Sequence, residues 1–404
     1  MAGTTIEAPS GNTRLREREE RHSFGFAKKR DIALVRGQGA RVWDADGRAY
    51  VDCTAGHGVA AVGHAHPRIA AAVAQQAATL ITCQDAMPND VRARFVERLV
   101  EFLPPGLERV FLCNSGTEAV EAAIKLARLS TGRTGVVAAT GAFHGRTLGA
   151  LSATWRPEFR AGVEPLVPEF RHVPFGDLAP LEEALGDGPA ALILEVVQGE
   201  GGVHALSGDY LVAARELCDR HEVLLVLDEV QTGFGRTGHR FACEAHGVTP
   251  DLICLGKAIA GGLPMGAVAA GSRVAPPRAG SHGSTFGGNP LACAAGLATL
   301  DVFEDERLVE RAAELGAWWM QRLRAIEHRA IAEVRGAGLM VAVEFRMRVA
   351  PLIDALADRG VLALSAGPRV LRFLPPLVVE RGELEQVAQA LESVLAALDA
   401  GELR

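Results

Sequence analysis

Between Val110 and Leu255, short and mostly apolar runs alternate with segments of helical periodicity. The runs are Val110–Cys113, Val136–Thr140, Ala190–Val197, Val223–Leu227 and Leu252–Leu255. Thr117–Leu129 and Tyr210–His221, which lie between them, repeat their apolar residues at helical spacing. A strand that is apolar throughout has both faces buried, and intervening helices allow parallel crossovers. The pattern therefore predicts an α/β fold, a mostly parallel sheet covered by helices on both faces. Ligands of such sheets bind beyond the carboxyl ends of the strands, so the residues just after each run are the first candidates for function.

The last hundred residues follow another pattern. Leu308–Ile326 reads as an amphipathic helix, Leu339–Phe345 as a strand and Glu383–Leu398 as a closing helix, together a smaller α+β unit. Arg41–Val51 reads as a hairpin around Asp46-Gly47. The expected division is an N-terminal segment, 1–63, packing with the small domain; a large domain, 64–300; and a small C-terminal domain, 301–404. The first dozen residues are of low complexity and are expected to be disordered.

Composition narrows the function classes. A net charge of -7 over 404 residues gives no reason to expect nucleic acid. No apolar run approaches the roughly 20 residues that span a bilayer, and Met1–Arg30 lacks the apolar core of a secretory signal, so a cytoplasmic protein is expected. The seven cysteines are scattered, none in a CxxC pair, and read as reduced buried thiols.

Three strand ends carry candidate chemistry. After the first run, Ser115 and Glu118 make a capping-box pattern with Gly116 and Thr117 between them, a helix N-terminus suited to a phosphate. A plain capped helix reads the same way. After Val223–Leu227 comes Asp228, a carboxylate whose burial demands a partner; a structural ion pair is the bland alternative. After Leu252–Leu255 comes Lys257, followed by the glycine-rich Ala260–Gly266. Such a lysine is either an exposed loop residue or a nucleophile whose proton is lost through desolvation. Taken together, a phosphate site, an acid for a pyridine nitrogen and an amine for an aldehyde are what pyridoxal 5'-phosphate requires. Gly233–Gly238 fits the GxGxxG dinucleotide pattern, but no helical pattern follows it. His64 and His66 lack an obvious third metal ligand, so no metal site is expected.

Longer motifs carry a family resemblance. Asn114–Ala119, Phe143-His144-Gly145-Arg146-Thr147, Val197–Gly202, Asp228–Gly238, Leu255-Gly256-Lys257, Gly283–Pro290 and Arg372–Pro376 resemble class III aminotransferases of the acetylornithine/ornithine group, with PLP fold type I. The likeness runs from about Arg41 to Val379. It implies a large domain with a mostly parallel seven-stranded sheet flanked by helices, and a smaller α+β domain formed by the N- and C-terminal segments. It also implies ping-pong transfer of an ω-amino group, with glutamate and 2-oxoglutarate as the other pair.

By the same resemblance, Lys257 holds the cofactor as a Schiff base and shuttles a proton, and Asp228 pairs with the ring nitrogen. Phe143 stacks on the ring and Gln231 lies beside its hydroxyl. Ser115, Gly116 and Thr117 hold the phosphate, joined by Thr285 from a second subunit, which implies a homodimer. Arg146 and Ser284 bind substrate, Arg372 takes the α-carboxylate of glutamate, and Glu200 gates Arg372. A movable glutamate has a purpose there, because an ω-amine leaves that arginine without an anion. The sequence departs from the family at Val120, Val196 and Gly256, none of which removes a catalytic group.

Val51-Asp52-Cys53, Ala150–Trp155, Glu314–Trp319, Val361–Gly367 and Arg372–Leu377 resemble the branch acting on lysine or ornithine linked to the amino-group carrier protein LysW, in lysine or arginine biosynthesis. N-acetylornithine, or the substrate of another class III ω-aminotransferase, is the alternative. An acidic carrier calls for basic side chains. Candidates are Arg14, Arg16, Arg18, Arg21, Lys28, Lys29 and Arg30, with Arg146, Arg160 and Arg171. The N-terminal run also reads as a solvated helix offset by Glu17, Glu19 and Glu20.

Overall fold

The computed structural model of the chain describes residues 10–403. The apolar runs form five strands of a seven-stranded sheet, four of them neighbours in its middle and Val110–Cys113 part of one edge. Its spatial order is Leu107–Cys113, Gly266–Gly271, Leu252–Leu255, Leu224–Asp228, Ala191–Leu194, Val136–Ala139 and Phe170–Val173. Neighbours from Leu252–Leu255 to Phe170–Val173 are parallel. Gly266–Gly271 runs antiparallel between its two neighbours.

Alternate side chains of each strand enter different cores. Leu225, Leu227, Ile253 and Leu255 pack on one face, while Leu224, Val226, Leu252 and Cys254 pack on the other. Each such aliphatic side chain contributes about 1.5–3 kcal/mol on burial. This doubly covered sheet is the rigid platform on which the strand ends are held. The helix Gly116–Thr131 lies against Gly266–Gly271 and Leu252–Leu255, and ends where Gly132 turns left-handed at φ 69°. The helix Pro290–Asp305 packs against Pro67–Ala77 and Asp90–Phe102.

Two four-stranded sheets combine distant parts of the chain. In one, Leu34–Gln38, Arg41–Asp44 and Ala49–Asp52 are joined by Val361–Leu362, which pairs in parallel with Val51 and Asp52. In the other, Ile331–Ala337, Met340–Phe345, Val370–Phe373 and Leu364–Ser365 are antiparallel, with Arg372 opposite Ala342.

Some expectations change. The run Ala190–Val197 is a strand only to Leu194, and Val197–Gln198 turns away to pair with His204–Ala205. Residues 1–9 of the expected disordered stretch lie outside the described residues. The remainder is ordered: Ser10 caps the helix Gly11–Glu20, and the buried Asn12 amide donates to Asp44 Oδ2 at 3.0 Å. All seven cysteines are free thiols, and every one but Cys83 is buried. Among the described residues no helix is long and apolar enough to cross a membrane.

Candidate active site

The carboxyl ends of the parallel strands open into a cavity of about 290 Å³. Gly116, Thr117, Phe143, Arg146, Glu200, Asp228, Gln231 and Lys257 line it, so most of the expected site residues come together. Each arrives there for a local reason. Ser115 caps its helix by accepting the Glu118 N–H at 3.3 Å, and the Glu118 carboxylate accepts the Asn114 N–H at 2.7 Å. The reciprocal cap leaves Gly116 and Thr117 as the first turn, facing the cavity. Space is tight there. A Cβ on Gly116 would stand 2.6 Å from Val230 Cγ1, and one on Gly256 would stand 3.2 Å from the Cα of Gly116. Gly256 thus lets the lysine strand approach the helix end.

Asp228 ends the strand Leu224–Asp228 and is 5% exposed. Its Oδ1 accepts the Val230 N–H at 3.0 Å, and its Oδ2 lies 2.7 Å from His144 Nδ1. Burial alone would lower the His144 pKa. The hydrogen bond and charge of Asp228, with the charge of Glu195, outweigh it and raise the value. Glu195 accepts the Phe143 N–H at 3.0 Å and the Gly199 N–H at 3.3 Å. Burial pushes its pKa up to about 7, against the lowering charge of His144.

Lys257 follows Gly256 on left-handed backbone, φ 46°. That conformation costs a non-glycine residue on the order of 1–3 kcal/mol, and such strain clusters at functional sites. Burial lowers its pKa; the Asp228 charge opposes this and the Arg372 charge adds to it. The amine is therefore easier to deprotonate than a surface lysine.

Arg372 is fully buried behind the cavity. Its Nη2 donates to Glu200 Oε1 at 2.6 Å and its Nη1 to Gln231 Oε1 at 3.2 Å. Its Nε has no hydrogen-bond partner. A buried arginine on a single carboxylate is the arrangement a movable gate requires, because breaking the pair without a substitute anion costs about 3–5 kcal/mol. At the rim the exposed Arg146 guanidinium stacks on Phe159, 3.9 Å from its centroid, and Phe159 meets Phe143 edge-on at 5.7 Å.

Four expected residues lie outside the lining: Arg372 behind it, and Ser115, Ser284 and Thr285. The Ser115 hydroxyl is committed to its cap. The Ser284 hydroxyl accepts from Asn114 Nδ2 at 3.2 Å and from the Gly287 N–H at 2.9 Å. Thr285 is exposed, beside Phe286, which is 61% exposed. Conversely, the sequence reading missed His144 and Glu195 as site residues. Both follow strands of the central sheet, and Glu195 was hidden inside a run read as unbroken strand.

The decoys resolve structurally. Gly233–Gly238 folds as turns, with Arg236 buried and donating to the carbonyls of Leu339 and Pro375 at 3.0 and 2.6 Å. His64 faces Asp52 at 2.7 Å and His66 faces Glu306 at 3.1 Å, and no metal-holding cluster exists among the described residues. Of the basic side chains, Arg16 pairs with Asp31, Lys29 with Glu19, Arg30 with Asp354, and Arg171 with Glu183 and Asp187.

Known proteins resemble this chain in sequence and fold. The family model described as Aminotransferase class-III matches residues 26–395. The LysW-aminoadipate semialdehyde transaminase of Deinococcus radiodurans is 50% identical over 381 residues, 93% of this chain and 89% of that protein. The acetylornithine aminotransferase of Methanopyrus kandleri is 47% identical, covering 95% of this chain and 99% of that protein. The crystal structure of the Toxoplasma gondii ornithine aminotransferase superposes with a TM-score of 0.91 at 35% identity, covering 98% of this chain and 97% of that one.

Proposed function

Because this chain belongs to the class III aminotransferases, transaminases that work with pyridoxal phosphate, we propose that its cavity moves an ω-amino group to 2-oxoglutarate in two half-reactions, on a substrate joined to the carrier protein LysW, in lysine or arginine biosynthesis. The observation that carries the two-substrate reading is the Arg372–Glu200 pair beside Lys257 and Asp228.

The donor set fits the cofactor. A strained, half-buried lysine would take its aldehyde, a buried carboxylate its ring nitrogen, and a cramped helix N-terminus its phosphate. When bound, the cofactor supplies an electron sink for the bond broken at the substrate carbon. Lys257 Nζ, with its pKa lowered, takes the proton from that carbon and returns it on the other side of the exchange. Asp228 keeps the ring nitrogen protonated, and His144 holds Asp228 in place. Phe143 would cover the bound ring, and Gln231 would face its hydroxyl. The backbone N–H groups of Gly116 and Thr117 and the Thr117 hydroxyl would hold the phosphate, with Ser115 shaping the helix end. A homodimer would bring the exposed Thr285 and its neighbour Ser284 to the other subunit's site.

Selection between substrates falls to the arginines. Glutamate presents an α-carboxylate to Arg372 once Glu200 swings away. An ω-amine presents only hydrogen there, and Glu200 stays to neutralise Arg372. Arg146, at the rim, takes the carboxylate or amide at the far end of the substrate.

The carrier-linked reading is supported by half-identity to the Deinococcus protein. N-acetylornithine is the second reading, supported by the archaeal acetylornithine aminotransferases. The deciding experiment follows cofactor absorbance while holoenzyme meets carrier-linked lysine or acetylornithine. The carrier reading predicts the larger rate constant at low concentration for the linked substrate; no advantage for it assigns the enzyme to acetylornithine.

A further inference from the structure

Glu200 stands at the tip of the hairpin formed by Val197–Gln198 and His204–Ala205. Its carboxylate reaches Arg372, but its backbone is held separately. Arg156 Nη2 donates to the Glu200 carbonyl oxygen at 2.6 Å. Two residues on, Arg335 donates through Nε and Nη2 to the Gly202 carbonyl at 2.9 and 2.6 Å. Arg335 is itself fixed by Glu333 and Glu344, at 2.8 and 2.7 Å. Beneath the tip, a Cβ on Gly201 would stand 2.8 Å from the Gly141 carbonyl oxygen, so the two backbones are in contact.

Hydrogen bonds from a charged donor are short and roughly twice as strong as neutral ones. Arg335 grips the base of the tip. Arg156 grips the peptide of the gating residue itself, in the conformation where the carboxylate meets Arg372. We propose that Arg156 is a positioning residue for the gate: it stabilises the closed state, with Glu200 on Arg372, over the open one. This rests on Glu200 and Arg372 acting as the switch described above. Glutamate needs the open state and the ω-amine the closed state, so a contact made in only one of them sets the partition between the half-reactions.

The test uses holoenzyme carrying Arg156→Ala, with Glu200→Ala alongside. Both half-reactions are followed in single turnovers, and the dissociation constant of glutarate, a dicarboxylate that competes with Glu200 for Arg372, is measured by calorimetry. In Arg156→Ala the ratio of the glutamate to the ω-amine rate constant should rise about tenfold, the equilibrium equivalent of one charged hydrogen bond. Glutarate should bind several-fold tighter, by roughly the same mechanism. Arg156→Lys, which keeps a charged donor, should restore most of the ratio. Arg156→Gln serves if the alanine variant fails to fold. An unchanged ratio and glutarate affinity, or an equal fall in both half-reactions, overturns the positioning role while Glu200→Ala still moves the ratio. A ratio that Glu200→Ala also leaves unmoved overturns the positioning role and the switch together.

Discussion

Asp228, His144 and Glu195 form a buried cluster of ionisable groups under the cavity. His144 and Glu195 both have raised pKa values, so the folded protein keeps protons that the unfolded chain releases. Their contribution to stability is present at low pH and is lost as pH rises, for Glu195 across the window from 4.5 to about 7. In Glu195→Gln that loss is absent. The difference in unfolding free energy between variant and parent should move in the variant's favour by about 2 kcal/mol between pH 5 and pH 8. A difference that is the same at both pH values means Glu195 holds no proton in this range. Asp228→Asn keeps the shape but removes the charge proposed to face the ring nitrogen. Both half-reactions should slow by roughly 10²-fold or more, with a smaller loss of cofactor affinity. Unchanged rates would deny Asp228 its role.

At the scale of elements, the Glu200–Arg372 pair proposed as the gate joins a hairpin tip to a strand of the smaller antiparallel sheet, and the two sides are separable. Arg372→Ala should damage the glutamate half-reaction by roughly 30-fold or more while sparing the ω-amine, because a charged pair lost from a site is worth about 2–5 kcal/mol. Glu200→Ala should do the reverse, and single-turnover absorbance reads both. Equal damage in both variants contradicts the switch. The elements also explain what could be read from sequence. Strands buried on both faces announced themselves as apolar runs, and the acid and lysine at their ends were legible for that reason. Phe170–Val173 was missed because, as an edge strand, it is only partly buried. Gly266–Gly271 was missed because its glycines and alanines, close-packed between two strands, look like a flexible loop. The Arg372–Glu200 pairing was not legible from spacing at all. The two residues lie far apart in the chain and meet only through the fold, so family likeness alone suggested it. His144 escaped because its partner is a strand away.

At the scale of the molecule, the exposed Thr285 makes a dimer testable without any measurement of size. Lys257→Ala subunits should be inactive, and Thr285→Ala subunits should lose activity at limiting cofactor. If subunits that are co-expressed pair at random, about a quarter of all sites are rebuilt whole, and activity at limiting cofactor should return to that extent. No recovery would mean that Thr285 serves its own subunit. A carrier docked by charge should also make efficiency on linked substrate fall with added salt, through screening over about 8–10 Å, while free acetylornithine is little affected. The parallel pairing of Val361–Leu362 with Ala49–Asp52 has a bearing on how the enzyme is born. The N-terminal sheet cannot close until Leu362 has been made, and Lys257 emerges about 115 residues ahead of Arg372. At roughly 5–20 residues per second the interval is on the order of ten seconds. Through that interval the chain holds the two residues proposed to grip the cofactor, Lys257 and Asp228, and lacks the arginine proposed to discriminate among substrates, so the groups for the cofactor are made before the group for the choice of amine.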